Sequence, residues 1–187
     1  MGPKDKKIKR MQSPTDQYSG QTPPSPWILR FVPVVAEGAS VLDLACGSGR
    51  HGRLFLSRGH AVTFVDKDCS KLADLHSNPD ARIIEADLES KDWPLAPEIF
   101  GAIVVTNYLW RPRFETLLGH LNGILIYETF ADGNEQYGRP SNPDFLLDRG
   151  ELFERMRGRA RVLAYEQKLL RGSNPAMVQR LAAYKSK

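Results

Sequence analysis

The run Val41-Leu42-Asp43-Leu44-Ala45-Cys46-Gly47-Ser48-Gly49-Arg50-His51-Gly52 decides how this chain reads. An apolar stretch carrying one aspartate ends in a glycine-rich turn, and a helix-like segment follows. That is the layout of a nucleotide-type cofactor site at the carboxyl end of a first β-strand. The glycines also spell G-x-G-x-x-G, the dinucleotide pattern. They equally suit a plain tight turn from strand to helix.

Working outward, the pattern alternates strands and helices. Strands are predicted at 40–45, 61–66, 82–87, 100–107 and 123–130. Helices are predicted at 27–35, 49–58, 70–77 and 114–121, with Ser70 as a cap for the third and Gly59 closing the second. The strands are nearly continuous apolar runs, which predicts a parallel sheet covered on both faces. A polar loop at 131–143 follows. Residues 149–157 read as helix, 160–167 as strand, and 176–184 as either.

Asp43, Asp66 and Asp87 stand at the ends of three successive predicted strands, where open α/β sheets bind ligands. Asp66 lies seventeen positions after Gly49 and suits a ribose diol, in NAD or in another adenosine cofactor. Asp87 can accept from an adenine amino group. Asp43 discriminates between the two. It precedes the turn where a dinucleotide puts its pyrophosphate, and a carboxylate there would repel that group. S-adenosylmethionine, with an ammonium and a sulfonium, would instead be attracted. Gly52 is then read as a close-packing position in the helix.

At this point the sequence resembles the class I S-adenosylmethionine-dependent methyltransferases over about residues 27–130. Residues 41–49 look like the segment that holds the methionine part of the cofactor. Val62-Thr63-Phe64-Val65-Asp66 resembles the ribose-binding strand, and Ile84-Glu85-Ala86-Asp87-Leu88 the adenine-binding segment. Val104-Val105-Thr106-Asn107-Tyr108-Leu109 falls where the fourth strand ends beside the methyl group. A looser likeness is to small bacterial enzymes of the tellurite-resistance and thiopurine methyltransferase group. The resemblance implies an α/β, Rossmann-like methyltransferase fold: a mostly parallel seven-stranded sheet with helices on both faces. Segments 160–167 and 176–184 would supply the last two strands, one antiparallel. It implies S-adenosyl-L-methionine as cofactor, bound by Asp43, Ala45, Cys46, Gly47, Ser48, Gly49, Asp66, Lys67, Asp87, Leu88 and Asn107. The Pro-Pro pair that follows strand 4 in amino-methylating nucleic-acid enzymes is missing: Tyr108-Leu109-Trp110 stands there.

A small-molecule acceptor is therefore expected. Methyl transfer chiefly needs alignment and exclusion of water, so no catalytic set need be visible and none is assigned. The candidate acceptor residues follow strands 4 and 5: Tyr108, Trp110, Arg111, Glu128, Phe130, Tyr137, Arg139 and Asn142. His51 reads as a packing or capping residue and His60 as a surface turn residue. Two alternatives stay open: an RNA or protein methyltransferase that uses a basic tail, and an NAD-dependent oxidoreductase.

The bulk numbers set the frame. The chain has 187 residues, 41% hydrophobic and 26% charged, enough for one domain with a core. Residues 1–26 carry five basic and two acidic side chains with few apolar ones. They read as a flexible, basic, Pro-rich tail, and 27–187 as a single cofactor-binding domain. Much of the net charge of +4 thus sits in the tail, which argues against a nucleic-acid-binding face on the domain. No apolar run approaches the length needed to span a membrane, and the charged N-terminus without an apolar core is not expected to be a secretory signal. Two cysteines without metal-ligand spacing suggest no metal and a reducing, cytoplasmic setting.

Overall fold

The computed structural model describes residues 22–186. Seven strands form one sheet: β1 (Val41–Leu44), β2 (Val62–Asp66), β3 (Ala81–Glu85), β4 (Phe100–Thr106), β5 (Leu121–Phe130), β6 (Arg161–Leu170) and β7 (Ala176–Lys185). Their order is β3-β2-β1-β4-β5-β7-β6. The pairs from β3 to β5 are parallel, and β7 runs antiparallel to both its neighbours. Among the described residues, four α-helices accompany the sheet: α1 (Pro26–Phe31), α2 (Arg50–Leu56), α3 (Phe114–Gly119) and α4 (Glu151–Met156). The segment 176–184, open between helix and strand in the sequence, is strand because it pairs on both sides.

Side chains alternate across the pleat, so each central strand feeds two cores. Val62, Phe64, Val104, Ile124 and Ile126 pack with Trp27, Ile28 and Phe55 beneath α1 and α2. Leu42, Ile103, Val105, Leu125 and Tyr127 pack with Phe114, Leu117 and Leu152 beneath α3 and α4. Burial on both faces is why these strands read as unbroken apolar runs.

Gly52 touches the first core. A Cβ there would overlap the Phe64 ring, so the glycine lets α2 lie directly on β2. Gly49, at φ +70°, turns the chain into that helix.

Several local expectations are corrected. The segment expected as a third helix is a 3-10 turn at Ser70–Leu75, and Ser70 does not cap it. Asp68 does that work, its carboxylate accepting the Ser70 amide at 3.0 Å. His60 is buried, with its Nδ1 2.9 Å from the Ala39 carbonyl and its ring edge-on to Phe55. The expected flexible tail falls mainly at residues 1–21, outside the described residues. Its last members do pack: Pro24 and Ser25 are buried, and Ser25 accepts the Trp27 amide at 3.1 Å to cap α1. Among the described residues, no helix is long and apolar enough to cross a membrane.

Candidate cofactor site

The carboxyl ends of β1, β2 and β4, with the loop after β3, surround a cavity of about 240 Å³ lined by Ala45, Asp66, Lys67, Asp87, Leu88, Glu89, Asn107 and Tyr108. Six of these were expected as cofactor residues; Glu89 and Tyr108 complete the wall. Among the described residues, the non-glycine positions with positive φ are Ala45 (52°) and Asn107 (54°). Left-handed backbone costs most residues energy and gathers at functional sites.

The remaining expected cofactor residues form the turn beside the cavity. The Gly47 amide donates to Asp66 Oδ2 at 2.7 Å, and the Gly52 amide to Asp43 Oδ2 at 2.7 Å. The Cys46 and Gly49 amides are bound to main-chain carbonyls, and Cys46 is buried. Ser48 accepts from Arg53 Nε at 3.2 Å. Two amides that could cradle a phosphate are thus already taken by carboxylates, which disfavours a pyrophosphate.

Asp43 itself is fully buried. Burial pushes its carboxyl up to about 7, and the Asp66 charge adds to this; the Gly52 amide and the Arg50 guanidinium pull it back. A buried carboxyl without a full counter-charge has the character needed to receive a cationic amino group.

The Tyr108 hydroxyl is buried and, among the described residues, has no hydrogen-bond partner. Burial and the charges of Glu89, Asp87 and Asp66 raise its pKa. A buried donor without a partner calls for an explanation, and a ligand entering beside Tyr108 would supply one. The site therefore fits an adenosine cofactor: acids for a ribose and an exocyclic amine, a buried acid towards β1, and a spare hydroxyl.

The expected acceptor residues divide. Tyr108 and Trp110 share a small hollow with Leu44, Trp93 and Tyr127. Phe130 is half-buried at the end of β5. Arg111 is corrected to a structural role: it donates to both oxygens of Glu151 at 2.9 and 2.8 Å, and to the Asp144 and Leu146 carbonyls at 2.8 and 2.6 Å. It thereby staples the loop after β5. Glu128 is likewise engaged. It is buried, 2.5 Å from Arg180 Nε, and accepts from Ser25 Oγ at 3.1 Å. The Arg180 contact is an ion pair without an aligned N–H. Tyr137 and Arg139 are exposed, and Asn142 caps the turn at Pro143–Phe145. Structure does not bring these three to the cavity.

The comparisons agree with this geometry. Residues 41–125 match the family model of a methyltransferase domain. TehB from Haemophilus influenzae is similar in structure at 19% identity, with a TM-score of 0.73 over 92% of this chain; the chain spans 65% of that protein's length. A 1,6-didemethyltoxoflavin-N1-methyltransferase from Burkholderia thailandensis is similar at 19% identity, with a TM-score of 0.66 over 87% of this chain and 77% of that one. A TehB-like methyltransferase from Corynebacterium glutamicum is similar at 20% identity, with a TM-score of 0.60 over 86% and 88%. No curated protein matches by sequence. Residues 41–125 thus match a methyltransferase domain, and the fold is one shared with structures of S-adenosylmethionine-dependent methyltransferases.

Proposed function

We propose that this chain transfers the methyl group of S-adenosylmethionine to a small-molecule acceptor. The observation that carries the reading is the cavity lined by Asp66, Asp87 and Tyr108 beside a glycine turn whose amides are already occupied by carboxylates. Asp66 would hold the ribose hydroxyls, and Asp87 the adenine amine. Ala45, Lys67, Leu88, Glu89 and Asn107 would form the walls, and Asp43 would answer the cofactor's ammonium through the turn Cys46–Gly49. The bound cofactor supplies an electrophilic methyl on a sulfonium. The protein's task is then to align the acceptor and exclude water.

No general base is assigned. Both ring nitrogens of His51 are engaged, and Glu128 is paired with Arg180. An acceptor with a lone pair ready at neutral pH suits such a site. The Burkholderia relative acts on 1,6-didemethyltoxoflavin by its name, which supports a small acceptor. Tyr108 and Trp110 are the acceptor-side residues we would place nearest the methyl group. The two free cysteines are buried, in keeping with a reducing cytoplasmic setting.

Calorimetric titration with S-adenosylhomocysteine tests the reading. Micromolar binding that is lost in Asp66→Ala supports it; no binding at high micromolar ligand overturns it.

A further inference from the structure

We infer that Thr106 is a further cofactor-binding residue, its hydroxyl aimed by His51 and Ser25 at the amino-acid end of S-adenosylmethionine. This rests on the cofactor reading above.

The argument begins at Ser25. A main-chain amide can only donate, and that of Ser25 lies 3.1 Å from His51 Nε2. Nε2 therefore carries no proton. His51 is buried beside the Arg50 charge, conditions that keep the imidazole neutral. Its single proton must sit on Nδ1, which is 3.2 Å from Thr106 Oγ1. Thr106 is thus the acceptor in that contact, and its own proton is left to donate. Among the described residues it has no other partner.

Ser25 is well fixed for this task. Its hydroxyl donates to Glu128 and accepts from the Trp27 amide, while the neighbouring Pro23 carbonyl accepts from Arg50 at 3.2 Å. The segment Pro23–Ser25 is therefore strapped to α2 and β5, and it holds the imidazole in one tautomer.

Position supplies the target. Thr106 is the last residue of β4, half-buried, and Asn107 beside it lines the cavity. Val105 pairs with Leu44, so Thr106 stands level with Ala45 across the strand gap. The acids for ribose and adenine lie at β2 and after β3. Sheet order β3-β2-β1-β4 then leaves the cofactor's amino-acid end over β1 and β4. There, Asp43 suits the ammonium, and the remaining Thr106 hydroxyl proton suits the carboxylate.

The test compares two ligands by calorimetry. S-adenosylhomocysteine carries the amino-acid end; 5′-methylthioadenosine lacks it. Thr106→Val should weaken S-adenosylhomocysteine about tenfold, the worth of one hydrogen bond to a charged group, and leave 5′-methylthioadenosine unchanged. Thr106→Ser, which keeps the hydroxyl, should restore affinity. His51→Leu should show the same selective loss. Equal weakening of both ligands, or no weakening in Thr106→Val, overturns the inference while leaving the cofactor reading standing. If the unaltered chain binds neither ligand, the cofactor reading fails and this inference falls with it.

Discussion

Asp43 at the end of β1 accepts the amide of Gly52 in the first turn of α2 at 2.7 Å. One carboxylate thus joins strand to helix beneath the glycine turn, and it does so while buried. Its carboxyl is held near neutral pH, so a cationic ligand that ionises it must displace a proton. We expect S-adenosylhomocysteine binding at pH 6 to release about one proton, and almost none at pH 9. Titration in buffers of differing ionisation enthalpy measures this. Heats independent of the buffer would mean that Asp43 does not respond to the ligand.

Stability should show two opposed titrations. Asp43 is raised to about 7, above the roughly 3.9 of an unfolded aspartate. Between these values the folded state holds the extra proton, so stability falls as pH rises. His51 is lowered to about 3, chiefly by burial, against roughly 6.5 unfolded. Between those values the unfolded state holds the extra proton, so stability rises with pH. The two effects cancel over roughly pH 4 to 6.5. Asp43→Asn removes one of them. Its urea-unfolding free energy should climb with pH across that window by up to about 1.4 kcal/mol per unit relative to the parent. A parallel pH profile for the two proteins would contradict this.

Gly52→Ala should destabilise the fold by about 1–3 kcal/mol, because the added methyl overlaps the Phe64 ring. Phe64→Leu, introduced on top, should recover part of the loss, since it opens the space the methyl needs. Chemical denaturation of the single and double variants gives the coupling directly.

Tyr108→Phe should leave the ligand-free fold as stable or slightly more so, since it removes a buried hydroxyl without a partner. S-adenosylhomocysteine binding should weaken at the same time. A variant that loses stability but keeps affinity would place the hydroxyl in the fold and not in the site.

Glu128→Ala should cost up to about 3–5 kcal/mol, the penalty for breaking a buried ion pair, since Arg180 then keeps only a longer contact to Glu166 at 3.8 Å. An acceptor-binding role for Glu128 predicts the opposite pattern, intact stability with a raised KM. Thermal unfolding beside acceptor kinetics separates the two.

Much of this architecture was legible because its signals are local. Apolar strands that end in Asp43 and Asp66 mark both the sheet and its ligand edge. Asp87 stands two residues past β3, yet the apolar run still locates it. The polar partners were not legible, because they come together only in the folded chain. Ser25 meets Glu128 across 103 positions, and Arg111 meets Glu151 across 40. Glu128 and Arg111 read as free site residues because nothing near them in sequence announces a counter-charge. His60 follows a glycine and so reads as a turn residue, although it is the Phe55 ring and the Ala39 carbonyl that draw it inward.

The reversed direction of β7 bears on how the protein can be handled. Lys185 pairs with Gly123 near the start of β5, so the chain leaves β7 at the edge of the sheet opposite the cavity. Pro23 and Ser25, by contrast, are tied to Arg50 and His51 at the start of α2. A dye or surface tether joined at Lys185 would lie at the far edge of the sheet from the cavity, whereas one placed at residues 23–25 would disturb the contacts to Arg50, His51 and Glu128. Immobilised binding assays should therefore anchor the protein through its carboxyl-terminal strand.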